Sequence, residues 1–165
     1  DAYSSPKAKK LFEDNKIYNH LELEARHEIM LEAYVKKVQI EARVMGDIAT
    51  TFVIPAAVKY QNILIENIRG LKEAGLPESA YSNQKSILTQ LSEHIRIISE
   101  NVTHMIEARK KANDLSNTRE KALAYCEEVK EKYFDKIRYH VDKLELMVDD
   151  SIWQLPKYRE ILFLR

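Results

Sequence analysis

Glycine and proline are scarce in this 165-residue chain, with three of the first and four of the second. Few positions can turn or break the backbone, so the elements between them must be long. A single cysteine, Cys126, excludes a disulfide within the chain and fits a reducing compartment, so the cytoplasm is the expected location. An excess of one charge is also missing, because 26 Lys and Arg balance 26 Asp and Glu. No overall field favours nucleic acid or an anionic membrane, and neither is expected as a partner. The longest hydrophobic run, Phe52 to Val58, falls far short of the ~18 residues a membrane span needs. The first ten residues are polar and charged, unlike a secretory signal. The chain starts at Asp1 without a Met, and the expectation is an excised or processed piece of something longer.

What is present is helical. Hydrophobic residues make up 45% and charged residues 32%, a mix suited to a soluble helix-rich domain with its own core. The stretch from Glu41 to Gly70 is apolar on more than one face, through Val44, Met45, Ile48, Phe52, Val53, Ile54, Val58, Ile63, Leu64 and Ile68. A helix of that kind must be covered on several sides. Apolar steps of three and four lead into it from His27, and Gly46 within it predicts close approach of a neighbouring helix. Pro55 cannot donate to the carbonyl of Thr51 and crowds it, which predicts a kink in a helix that continues. A stop followed by a new helix at Pro55 is the alternative. The Thr50 and Thr51 hydroxyls stand where they can serve the freed backbone.

Ser5-Pro6 marks the start of a short helix ending near Asn15, and Asn19 with Glu22 forms a capping-box pattern for the long one. Gly70 and Gly75-Leu76-Pro77 end it, and residues 78–84 read as a polar connector. A second seam runs from Ile87 to Met105 or Ile106 and closes on the basic turn Arg109-Lys110-Lys111. Asn117 with Glu120 opens the last long helix, whose seam is Ala122, Cys126, Val129, Tyr133, Ile137, His140, Leu144 and Met147. The prediction is an all-α bundle of three long, antiparallel helices, the first kinked at Pro55, with a short N-terminal helix and an apolar tail. It forms a single domain over 1–165, with the bundle proper at 42–150 and a docking tail at 151–165.

Catalytic constellations are missing. The sequence has no Gly-rich phosphate loop, no G-x-S-x-G and no Cys/His metal spacing. Glu24 and His27 make one E-x-x-H step, half of what a di-iron bundle needs, and no second step exists. His140 reads as a hydrogen-bonded core residue and Cys126 as a buried, inert thiol. No catalytic, cofactor-binding or metal residue is assigned. The tail carries the interface candidates Trp153, Tyr158, Ile161, Leu162 and Phe163, with Trp153 as the main anchor. Composition does not say whether its own bundle or a neighbour covers them.

Three stretches carry a resemblance: ARVMGDIATTFVIPAAVKYQN at 42–62, EARKKANDLSNTREKALAYC at 107–126 and IRYHVDKLELMVDDSIWQLPKYREILF at 137–163. Together they resemble the C-terminal helical region of type III glutamine synthetases. The likeness runs through most of residues 6–163 and is weakest over 70–86, while residues up to about 41 resemble the end of the catalytic fold. The resemblance implies a parent enzyme that ligates ammonia to glutamate with ATP and Mg2+, through a γ-glutamyl phosphate, in a dodecamer of two hexameric rings. None of the family's substrate or metal motifs is matched, so the resemblance implies a non-catalytic role: covering the catalytic domain of the same chain, or contacting other subunits. A free-standing helical interaction module and a ferritin-like metal-binding bundle are the alternatives.

Overall fold

The structure is a computed structural model that describes residues 4–162. Helix α1, Pro6–Asp14, begins where the Ser5 hydroxyl accepts from the Ala8 amide at 3.3 Å, with Pro6 in the first turn. Asn19 caps α2 by accepting from the Glu22 amide, and the Glu22 carboxylate accepts from the Asn19 amide, each at 2.9 Å. Both starts follow from residues whose side chains satisfy amides the helix leaves open.

Helix α2 runs unbroken over His20–Glu73, 54 residues. At a rise of 1.5 Å per residue it is about 80 Å long. Pro55 neither stops it nor reverses it, so Met45 and Ile63 lie on one continuous helix. The distortion falls just before the proline, where Ala49–Val53 widens into a π-helical turn and the Ile54 amide reaches back to the Ala49 carbonyl. There the Thr50 hydroxyl donates to the Gly46 carbonyl at 2.9 Å and the Thr51 hydroxyl to that of Asp47 at 2.6 Å. The wider turn gives the Pro55 ring room that a regular helix denies it.

Gly75, at φ 75°, turns the chain, and a single 3-10 turn, Glu78–Ala80, leads into α3, Ser82–Asn113. The last turn of α3 carries Lys110 and Lys111 at the negative end of the helix. Asn117 then caps α4 by accepting from the Glu120 amide at 3.0 Å. Helix α4 covers residues 118–147 in three parts: Thr118–Ala124 and Asp135–Met147 are α-helical, and Tyr125–Phe134 between them is π-helical. A regular spacing predicts Cys126 on the seam. The core position is taken instead by Tyr125, three after Ala122 and four before Val129 and fully buried, while Cys126 is half-buried. His140 is likewise half-buried, at the edge of the seam.

Helices α2 and α3 are antiparallel. Gln39 pairs with Asn113 at 3.3 Å, Gln61 with Ser92 at 2.8 Å and Asn67 with Gln84 at 3.4 Å. Helix α4 returns along α3, from Tyr125 beside Asn113 to His140 beside His94, and so runs alongside α2 in the same direction. One core joins the three: Val38, Ala42, Ala49, Val53 and Ala57 from α2, Leu91, Ile98, Val102 and Met105 from α3, and Tyr125, Val129, Ile137 and Leu144 from α4. Gly46 faces Val102 and Met105, but a methyl group placed there would meet them at 3.7 Å, an ordinary contact. The helices therefore do not approach closely enough to require glycine. No strand occurs among the described residues.

The expectation about membrane-spanning composition needs correction. No unbroken apolar run is long enough, yet an 18-residue window of α2 reaches a mean hydropathy of 1.3, enough by length and composition to cross a membrane. The threonines and single charges scattered along α2 interrupt its runs, but the window mean still reaches 1.3. This helix also supplies Ala49, Val53, Ala56 and Ala57 to the shared core, as the central helix of a bundle does.

Candidate functional site

Past Met147 the backbone becomes extended at Val148, and Asp149 starts a turn by accepting from the Ser151 amide at 2.8 Å. The Ser151 hydroxyl first, and then that amide bond, hold the Asp149 carboxyl below the usual range. The turn sends the tail back onto its own bundle. Trp153 is 7% exposed and belongs to the common core, with Ile152 and Leu155 packed partly against it. The buried indole Nε1 has no hydrogen-bond partner among the described residues. Lys157 fastens the fold-back: its ammonium donates to the carbonyls of Glu145 at 2.8 Å and Val148 at 3.4 Å, and pairs with Asp150. A cation over carbonyls at a helix C-terminus is favoured by both charge and hydrogen bonding.

The proposed anchor, Trp153, is thus engaged within the chain. Ile161 at 54% and Leu162 at 76% exposure remain open to a partner, on the short helix α5, Tyr158–Leu162. Phe163 and the side chain of Tyr158 lie outside the described residues. Beside the folded tail lies an open groove of about 600 Å3. Ile40, Val44 and Ile48 of α2, Val141 of α4, and Leu155 and Ile161 of the tail line it, and Glu41, Arg138, Asp142 and Glu145 also border it. Ile40 and Val44 are 62% and 49% exposed, so an apolar surface is presented between charged side chains. Its chemistry suits contact with another apolar surface and offers no nucleophile with an adjacent base.

The other candidate residues are occupied structurally. Glu24 lies 3.4 Å from the Lys9 ammonium and 3.2 Å from His20 Nε2. Among the described residues no three His, Cys, Asp or Glu side chains converge to hold a metal ion. Cys126 approaches Glu131 at 3.5 Å and hydrogen-bonds with Tyr34, whose phenol is pushed up to about 12, first by burial and then by Cys126. Neither a carboxylate nor a phenol supplies the positive charge that activates a catalytic thiol.

Sequence reading missed the Lys157 cap and the pairing of His94 with His140. Neither has a local signature. Lys157 acts on a helix end reached only after the chain reverses, and the histidines lie 46 positions apart.

Comparison with known proteins follows the same line. A family model described as the glutamine synthetase C-terminal domain matches residues 1–72. A glutamine synthetase of Bacteroides fragilis is 43% identical over 165 residues, covering 98% of this chain and 22% of that protein. A type-3 glutamine synthetase of Dictyostelium discoideum is 30% identical over 165 residues, again 98% of this chain and 22% of that protein. A glutamine synthetase of Butyrivibrio fibrisolvens is 26% identical over 153 residues, 93% of this chain and 22% of its own length. The chain thus spans 22% of the length of the curated relatives it matches. Family model and relatives agree with the resemblance read from the sequence: residues 1–72 match the glutamine synthetase C-terminal domain, and the chain is similar to part of several glutamine synthetases, a type-3 form among them.

Proposed function

We propose that this chain is a non-catalytic scaffold within a glutamine synthetase, an enzyme that ligates ammonia to glutamate at the expense of ATP. In this reading the bundle packs on the catalytic domain of the same polypeptide and on neighbouring subunits of a dodecamer in the cytoplasm. The observation that carries it is the apolar groove bordered by Ile40, Val44 and Ile161, left open beside a tail that is already folded back. Exposed apolar surface of this kind is costly to leave in water and typical of contact sites.

ATP and Mg2+ belong, in this reading, to the part of the enzyme outside this chain. The residues here do not fit either group. No Gly-rich loop is available to cradle phosphates, and no carboxylate set converges among the described residues. No chemical step is therefore assigned to these side chains.

The test uses the full-length enzyme carrying Val44→Asp with Ile161→Asp. Both sites are exposed, so the bundle should fold, and its helical circular dichroism should match that of the parent. Sedimentation should show the largest assemblies lost. Unchanged assembly with a folded variant would remove the groove from the contact surface. Purified chain of residues 1–165 should form no glutamine, and turnover above background would overturn the non-catalytic assignment.

A further inference from the structure

His94 of α3 and His140 of α4 face each other with their Nδ1 atoms 2.8 Å apart and ring centroids 5.1 Å apart. An imidazole nitrogen either carries a proton or offers a lone pair. A contact this short between two Nδ1 atoms requires one of each. One ring must be the Nδ1–H tautomer or the cation, and the other must keep Nδ1 bare. If both rings are protonated, two N–H groups and two positive charges meet, and no hydrogen bond remains.

We propose that the His94–His140 contact is an acid-operated latch, which holds α3 against α4 while one Nδ1 is bare and releases when both rings are protonated. The inference does not depend on the enzyme reading. It rests on the direct ring-to-ring contact and on what surrounds it. Leu91 lies one turn before His94 and Leu144 one turn after His140, and both are fully buried. Parting the rings therefore disturbs packing beside two buried leucines of the α3–α4 seam.

The charged surroundings leave the pair without a dedicated counter-ion. From α3, Glu93 is close enough to favour the cations, but its carboxylate is held by Arg96 at 2.7 Å. From α4, Lys143 opposes protonation of His94, and Tyr139 meets His140 edge-on at 5.1 Å. From α2, Gln61 bonds to Ser92, which lies two positions before His94 and so on a different side of α3. Burial comes first in pushing both imidazoles below the ordinary value of 6.5; Lys143 adds to this at His94, and His94 itself at His140. The folded state thus resists protons that the unfolded chain accepts. The contribution is fully present above pH 6.5 and is lost as the pH falls from there through the lowered folded values.

Two measurements on the 165-residue chain test this. Long-range 15N–1H spectra of the imidazoles at pH 7.5 should find one of the two rings as the less common Nδ1–H tautomer, with both titrating below 6.5 in linked steps. Two ordinary Nε2–H tautomers titrating independently would overturn the latch. Thermal and urea melts at pH 7.5 and 5.0 then compare the parent with the His94→Gln, His140→Gln double variant, whose amides can bond without titrating. The parent's unfolding equilibrium constant should rise several-fold more on acidification than the variant's, and an equal rise would overturn the proposal. If the double variant fails to fold, the tautomer measurement on the parent decides alone.

Discussion

Tyr125 donates its phenolic proton to Asn113 Oδ1 at 2.6 Å, and Gln39 Nε2 donates to the same oxygen at 3.3 Å. A single amide oxygen thus ties together all three long helices, at the end of the bundle where α3 gives way to α4. Tyr125 is fully buried, and its hydroxyl depends on that acceptor. Burial pushes its ionisation up, against the lowering influence of Arg109, Arg43 and the Asn113 bond.

Asn113→Ala should therefore destabilise the chain by about 1–3 kcal/mol, the cost of leaving a buried hydroxyl without its partner. Tyr125→Phe should cost less, and adding it to Asn113→Ala should recover part of the loss. Urea denaturation of the single and double variants measures this directly. Additive losses would show that the two side chains do not act as a unit.

Gly46→Ala should stabilise the protein. The methyl group would meet the tips of Met105 and Val102 at 3.7 Å, so it fits without displacing them. Glycine in a helix interior costs roughly 1 kcal/mol relative to alanine. That amount raises the melting temperature of a chain of this size by about 2–4 °C. A lower melting temperature would mean that α2 and α3 approach more closely at this point than the contact distances indicate.

Trp153→Ala should cost about 3–5 kcal/mol, as expected for a large aromatic removed from a core. It should also open residues 149–157 to limited proteolysis, since Trp153 and the Lys157 cap are the main attachments of that segment. Leu162→Ser, by contrast, should change stability by no more than about 0.5 kcal/mol, because the side chain is 76% exposed. A Trp153 variant as stable as its parent would place the indole outside the cooperative core.

The helices, their caps and their antiparallel order were legible in the sequence because each depends on local chemistry. Ser5, Asn19 and Asn117 accept from backbone amides three residues onward, and the scarcity of breakers sets the lengths. The core of α3 was legible for the same reason, since Leu91, Ile98, Val102 and Met105 keep a regular helical step. The seam of α4 was only partly so. Reading Cys126 as core took a step of four after Ala122, whereas the chain takes a step of three to Tyr125; both steps are regular, so spacing could not choose between them. The tail shows another limit. Its composition revealed a need for cover, but the covering partner depended on the Asp149 turn and on Lys157 reaching carbonyls 9 and 12 positions back in the sequence. Tertiary geometry also made the histidine pair, which no spacing rule contains.

The π turn at Ala49–Val53 bears on how the chain tolerates changes in length. A wide turn of this kind stores one residue more than the regular spiral while both flanking segments keep their outward facing. It amounts to an inserted residue absorbed in place, with Ala42 before it and Ala57 after it still buried in the same core. Shortening the chain by one residue within 49–53 should tighten the spiral without rotating Leu64 and Ile68 out of the interior. The same deletion placed elsewhere in the helix would swing everything beyond it by roughly a quarter turn.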